Sequence, residues 1–398
     1  MEFNLRLDIS AKTVIDEHCH PFTELAQNLT KEQFISLVSI GGAQYGLTST
    51  SNGALFHPQN LAFYRVFIKK LSKLFSCPPE IEEIIKARNE RSKIFRKYIT
   101  KLFADANIET LMMDDGYSEV SVEHKLPEIN FEKLAELVPV RVARIKRLEP
   151  LIQKSLDESS SFEELVAKYD SALDTAVKKQ KCIAFKSITA YRTGLDILRH
   201  EEEEAREEYR LYKEKKGITT WFGPQAKKLR EYLICYAIEK SVEFNIPFQI
   251  HTGIGDTDVI FERCNPRFLF NLLKDEKVRH AKIVLVHGGY PYTSEAAYLT
   301  NAFPNVYMDV SIIFPFAYAG ASARILNILE LAPISKVMYG SDGFSIPELH
   351  WVSAKVGKEI LGEVLGKMVQ LRVFDEDEAY KYASMILSEN ARRLYKLD

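Results

Sequence analysis

Eight short apolar runs, most of them separated by sequence with helical periodicity, constrain this chain more than any other feature. They lie at 14–22, 108–116, 138–148, 182–188, 246–253, 283–289, 306–310 and 337–343. Strands alternating with helices favour a parallel sheet with crossover helices. The economical closure of eight such units is an α/β fold, the (β/α)8 TIM barrel. That barrel takes about 250 residues, so a chain of 398 residues must place its surplus in insertions. The main one is expected at about 22–104, after strand one. There, apolar residues recur at spacings of three and four with Lys and Arg between them, predicting amphipathic helices over 61–75 and 79–103. The competing architecture is an open doubly wound sheet, but no glycine-rich first turn follows a strand. Residues 1–398 are read as a single barrel domain.

The first run closes on Glu17-His18-Cys19-His20. Alternation along a strand sets His18 and His20 on one face about 7 Å apart, with Glu17 and Cys19 on the other. Taken alone, an ordinary pair of core histidines explains this spacing. The later strand ends change the balance: Lys186 ends strand four, His251 strand five, His287 strand six and Asp342 strand eight. In a (β/α)8 barrel those ends share the face where active sites are built. Residues far apart in sequence thereby become neighbours able to hold a divalent metal ion.

At this point the chain resembles the amidohydrolase superfamily. The segments 15–21, 284–289, 339–342 and 389–395 resemble its amidohydrolase-related branch of metal-dependent TIM-barrel hydrolases and non-oxidative decarboxylases. The stretch 185–195 further resembles amidohydrolase-like domains joined to glutamine-synthetase-like domains. His18, His20, His251 and Asp342 could supply the ligands of one ion, Zn2+ foremost, with His287 either a further metal ligand or an electrophilic donor. A bound divalent ion acidifies water and polarises a carbonyl. The resemblance implies that Asp342 is the general base. It leaves Lys186 three roles: a carboxylated bridge between two metals, a cation for a substrate carboxylate, or a structural ion pair.

Tyr191 and Arg192 are candidates to bind an anionic substrate, as is Arg147, each arginine having rim pairing with Asp114, Asp115 or Glu149 as the alternative. Arg144 carries the same ambiguity. Asp309 is read as orienting a histidine. His57, His124, His200, His280 and His350 lie off the strand ends and default to the surface, Cys182 to buried packing. The run 201–216 is read as a solvated helix.

A net charge of −2 gives no polycationic surface for nucleic acid. Five cysteines without close pairing indicate a reducing compartment, and no apolar stretch is long enough to span a membrane. The expected protein is cytoplasmic, acts on a small molecule and forms at most a homo-oligomer. The function expected is metal-dependent hydrolysis of an amide, or an ester or lactone, in a carboxylate-bearing substrate. The alternatives are non-oxidative decarboxylation of an aromatic or unsaturated acid, and a catalytically silent binding barrel.

Overall fold

The structure is a computed structural model describing residues 5–38, 40, 58–116, 128–214 and 226–397. His57 and His124 lie outside the described residues. Eight strands form one sheet: β1 (Val14–Cys19), β2 (Ile108–Asp114), β3 (Arg141–Arg147), β4 (Ala184–Ser187), β5 (Phe248–His251), β6 (Ile283–Val286), β7 (Val306–Asp309) and β8 (Val337–Met338). Each pairs in parallel with the next. The chain past β8 then returns to β1. Glu17 N–H donates to Tyr339 O at 3.1 Å, Asp342 N–H to His18 O at 2.9 Å and His20 N–H to Gly343 O at 2.8 Å. These bonds close the TIM barrel, and they do so at the residues expected to bind metal.

β6 reads as a continuous apolar run because both of its faces are covered, whereas β1 and β3 carry buried charged residues among their apolar ones. Ile15, Met112, Ile145, Ala184, Val284 and Met338 fill the interior, and Leu394 and Tyr395 of the last helix close its floor. Outside, the helices Phe162–Lys178, Lys227–Glu243, Ala321–Leu331 and Pro347–Gln370 lie against the sheet in a second apolar layer.

The region between β1 and β2 is helical where it is described: Lys31–Ser36, Ala62–Phe75, Ile81–Ser92 and Phe95–Ala106. The helix expected over 79–103 is two helices. Ile94 leaves helical geometry (φ −108°, ψ 83°), and the residues before it are drawn to Gln27. Ser92 Oγ donates to Gln27 O at 2.6 Å, and Gln27 Nε2 donates to Lys93 O at 3.2 Å. A buried ion pair fastens this region to the barrel. Arg88 Nε donates to Glu348 Oε1 at 2.6 Å, and Tyr98 Oη donates to the same oxygen at 2.7 Å. Neither charge is exposed, so each depends on the other to offset its lost hydration.

His350 corrects the expectation of a surface histidine. It lies on Pro347–Gln370, which is covered along most of its circumference, and its Nδ1 is 3.5 Å from Asp16 Oδ2. His200 is also drawn inward, its Nε2 2.7 Å from Glu231 Oε2, whereas His280 is exposed. Among the described residues no helix is long and apolar enough to cross a membrane.

Candidate metal centre

β1 departs from simple alternation where it carries the site. Asp16 pairs with Leu111 and Cys19 with Met113, so three steps of β1 match two of β2. The extra residue turns Glu17 inward, which corrects the expectation that it points away with Cys19. Gln249 Nε2 donates to Glu17 Oε1 at 2.8 Å and to Tyr395 Oη at 2.9 Å. Its Oε1 therefore faces His18 and accepts from Nδ1–H at 3.0 Å. That bond leaves the lone pair of His18 Nε2 pointing into the barrel mouth, 3.1 Å from Lys186 Nζ and 3.6 Å from Asp342 Oδ1.

A second pair of imidazoles is oriented from β5, β6 and β7. His287 (φ +73°), Gly288 and Gly289 all take left-handed backbone, which swings His287 off the end of β6. Its N–H donates to Asp309 Oδ1 at 2.8 Å. Ser311 Oγ donates to the same oxygen at 2.7 Å, so Ser311 Oγ is the acceptor for His287 Nδ1–H at 2.8 Å. Asp309 thus orients His287 through Ser311. On β5, His251 Nε2–H donates to Ile254 O at 3.2 Å. With both outer nitrogens committed as donors, His251 Nδ1 and His287 Nε2 face each other as lone pairs 2.9 Å apart.

Asp342 completes the arrangement from the far end of the chain. Its Oδ1 is 3.2 Å from His20 Nε2, and its Oδ2 is 4.0 Å from His287 Nδ1. Ligand atoms of His18, His287 and Asp342 lie within 4.8 Å of one another, as do those of His18, His20 and Asp114. Burial, followed by the charge of Lys186, holds the pKa of His18 and of His251 well below the imidazole range. For His287 burial again comes first, then His251. All three rings are thereby kept neutral. Inward-facing lone pairs, an all N/O donor set and a buried Asp342 Oδ1 that accepts no hydrogen bond fit a divalent cation.

The other candidates surround this cluster. Lys186 has a hydrogen bond to His18 and, among the described residues, no ion pair; burial pulls its amine down to about 8. Arg147 is engaged in the barrel rather than free for substrate, its Nε 3.1 and 3.0 Å from the two oxygens of Asp114. Burial is the largest single influence on Asp114 and opposes its ionisation, but Arg147, His20 and Lys186 together outweigh it and the net shift is downward. Arg144 pairs with Asp115 and Glu132. Tyr191 packs its ring 4.6 Å from that of His251, and its hydroxyl accepts from Asp256 N–H at 3.1 Å. A side chain at Gly255 would strike that hydroxyl, so glycine permits the approach. Arg192 donates to Asp258 Oδ2 at 3.3 Å.

Sequence reading assigned no role to Gln249, Ser311 or Asp114 as part of the ligand cluster. Gln249 carried a signal: an amide inside an apolar strand, two residues before His251 and so on its face. Asp114 also ends a strand. Ser311 lies past the end of β7 and carries no such mark.

A model of the amidohydrolase family matches residues 189–397. Protein fluG of Emericella nidulans is 26% identical over 421 residues, covering 99% of this chain and 47% of fluG. The chain therefore spans about half the length of that curated relative. A crystal structure from Lactobacillus casei ATCC 334, provisionally a metal-dependent hydrolase, superposes with a TM-score of 0.82 at 25% identity, covering 98% of this chain and 96% of that one. Uronate isomerase from Thermotoga maritima shares the fold with a TM-score of 0.66 at 15% identity, covering 99% and 96%.

Proposed function

The chain belongs to the amidohydrolase family, and on that premise we propose that it is a metal-dependent hydrolase cleaving an amide, or an ester or lactone, bond of a small carboxylate-bearing molecule. The observation that carries this reading is the convergence of three neutral imidazoles and Asp342 at the barrel mouth. The provisional assignment of the Lactobacillus casei protein supports it.

His18, His20 and Asp342 would hold one divalent cation, for which Zn2+ is the first choice, and Asp114 lies within their reach. His251 and His287 would hold the same ion or a second one. When bound, the cation supplies Lewis acidity and lowers the pKa of water. Gln249 keeps His18 in the tautomer that presents Nε2, and Ser311 does the same for His287. That tautomer favours a ligand role for His287 over an electrophilic donor, because its outer N–H is already spent. Asp342 Oδ1 is the proton acceptor of choice: it has no donor of its own, and its side chain keeps 13% exposure toward the mouth. It would take the proton from the attacking water and deliver it to the leaving group. Lys186 stands against His18 rather than against a carboxylate, which suits the carboxylated, metal-bridging role among the three it was given.

The test is a panel of amides, esters and lactones of small carboxylic acids offered to metal-loaded protein. The expected outcome is hydrolysis that falls at least about 100-fold in His20→Ala. Release of CO2 without hydrolysis, or full activity in the variant, would overturn the reading. Elemental analysis together with intact mass counts the ions and reports carboxylation of Lys186.

A further inference from the structure

Arg230 lies in the first turn of the helix Lys227–Glu243. That helix descends to feed β5, so its first turn stands at the end of the barrel where the strands finish. Arg230 is 6% exposed, and among the described residues its guanidinium makes no hydrogen bond and no ion pair. None of its nitrogens is sealed from solvent, so the guanidinium is largely covered yet open to an anion.

Its surroundings place it beside Arg192. Lys227, three residues earlier and therefore on the same helix face, brings Nζ to 3.3 Å from the carbonyls of Thr193 and Asp196. This face lies against the segment that follows Arg192. Arg192 is 2% exposed and directly follows the turn Thr189–Tyr191 at the end of β4. After burial, the charge of Arg192 is the largest influence lowering the pKa of Arg230. The nearby carboxylates leave Arg230 unserved. Glu149 Oε1 accepts from Ser187 Oγ at 2.8 Å and Ile188 N–H at 2.7 Å, while its Oε2 has no donor. Asp258 meets Arg192.

We propose that Arg230 and Arg192 form an oxyanion subsite that takes the carboxylate of the substrate, at the edge of the metal centre where Tyr191 packs on His251. Calling that carboxylate the substrate's rests on the hydrolase reading; the anion site itself does not. A guanidinium offers a planar fork of donors matched to a carboxylate, and the bound anion would supply the hydrogen-bonding partner that Arg230 lacks among the described residues.

Succinate, inorganic phosphate and the neutral diamide succinamide are titrated at constant ionic strength into the metal-loaded full chain, as wild type, Arg230→Gln and Arg230→Met. Succinate is expected to bind the wild type, to bind Arg230→Gln about ten- to a hundredfold more weakly, and to be favoured over succinamide only where Arg230 is present. Without ligand, Arg230→Met should melt no lower than the wild type, because it removes a charge that has no partner among the described residues. The proposal is overturned if succinate fails to bind the wild type, if it binds both proteins alike, or if Arg230→Met lowers the Tm by several degrees, which would mark a structural pairing. Tighter binding of phosphate with the same dependence on Arg230 would overturn the assignment to a carboxylate. Failure of the hydrolase reading is a separate result: no bond is cleaved, yet the Arg230-dependent binding persists.

Discussion

His18, His251 and His287 each owe their orientation to a residue that would not itself touch the ion. Gln249 is the clearest case, since its amide is fixed from three sides before it accepts from His18. Gln249→Leu should preserve the fold, checked by circular dichroism, while weakening Zn2+ affinity about 10- to 100-fold in competition with a chelator. An unchanged affinity would mean that His18 needs no such clamp. The ends of β5, β6 and β8 announced His251, His287 and Asp342 in the sequence because polar residues interrupt apolar runs there. Glu17 could not be placed in the same way, because alternation assumes an unbroken register and β1 gains a residue on β2. His350 misled for a related reason: its distance from any strand end says nothing about the helix packed over it.

Among elements, most strands were legible because burial on both faces makes them short and largely apolar, and the helices described within the 22–104 region were legible from its periodicity. The break at Ile94 was not, since it depends on bonds to Gln27 that no local pattern encodes. Similar long-range bonds hold the segment after β4. Arg199 grips Asp275 through Nε at 2.8 Å and Nη2 at 3.0 Å, and reaches Glu239 on the helix Lys227–Glu243. The hydrogen bond from Arg199 lowers the carboxyl pKa of Asp275. A carboxylate depressed by folding adds stability above its unfolded pKa of about 3.8 and loses it as pH falls through the folded value. Asp275→Asn should therefore melt below the wild type at pH 7, with a gap that closes as pH falls below about 4. Part of the pair is exposed, so the gap should stay under about 1 kcal/mol. A gap independent of pH would remove the ion pair as its cause.

For the whole molecule, closure of the barrel and assembly of the candidate metal cluster are tied together, because the bonds that join β1 to the chain after β8 flank His18, His20 and Asp342. A ligand that binds the folded state alone stabilises it by about 2.7 kcal/mol at a hundredfold excess over its Kd. Chelated protein should accordingly lose a few degrees of Tm and recover them on titration with Zn2+, and His20→Ala should show little of that recovery. Identical Tm values with and without metal would count against the centre. The closure also fixes a timetable for synthesis. Asp16 and Ser341, joined by two hydrogen bonds, stand 325 residues apart. At about 5–20 residues per second, on the order of twenty seconds to a minute separates their appearance on a ribosome. Throughout that interval the growing chain holds His18 and His20 without Asp342 and without the bonds that seal β1 to the chain past β8. Asp114 arrives early, on β2, and Asp342 last, so the candidate site is complete only once the ring is shut.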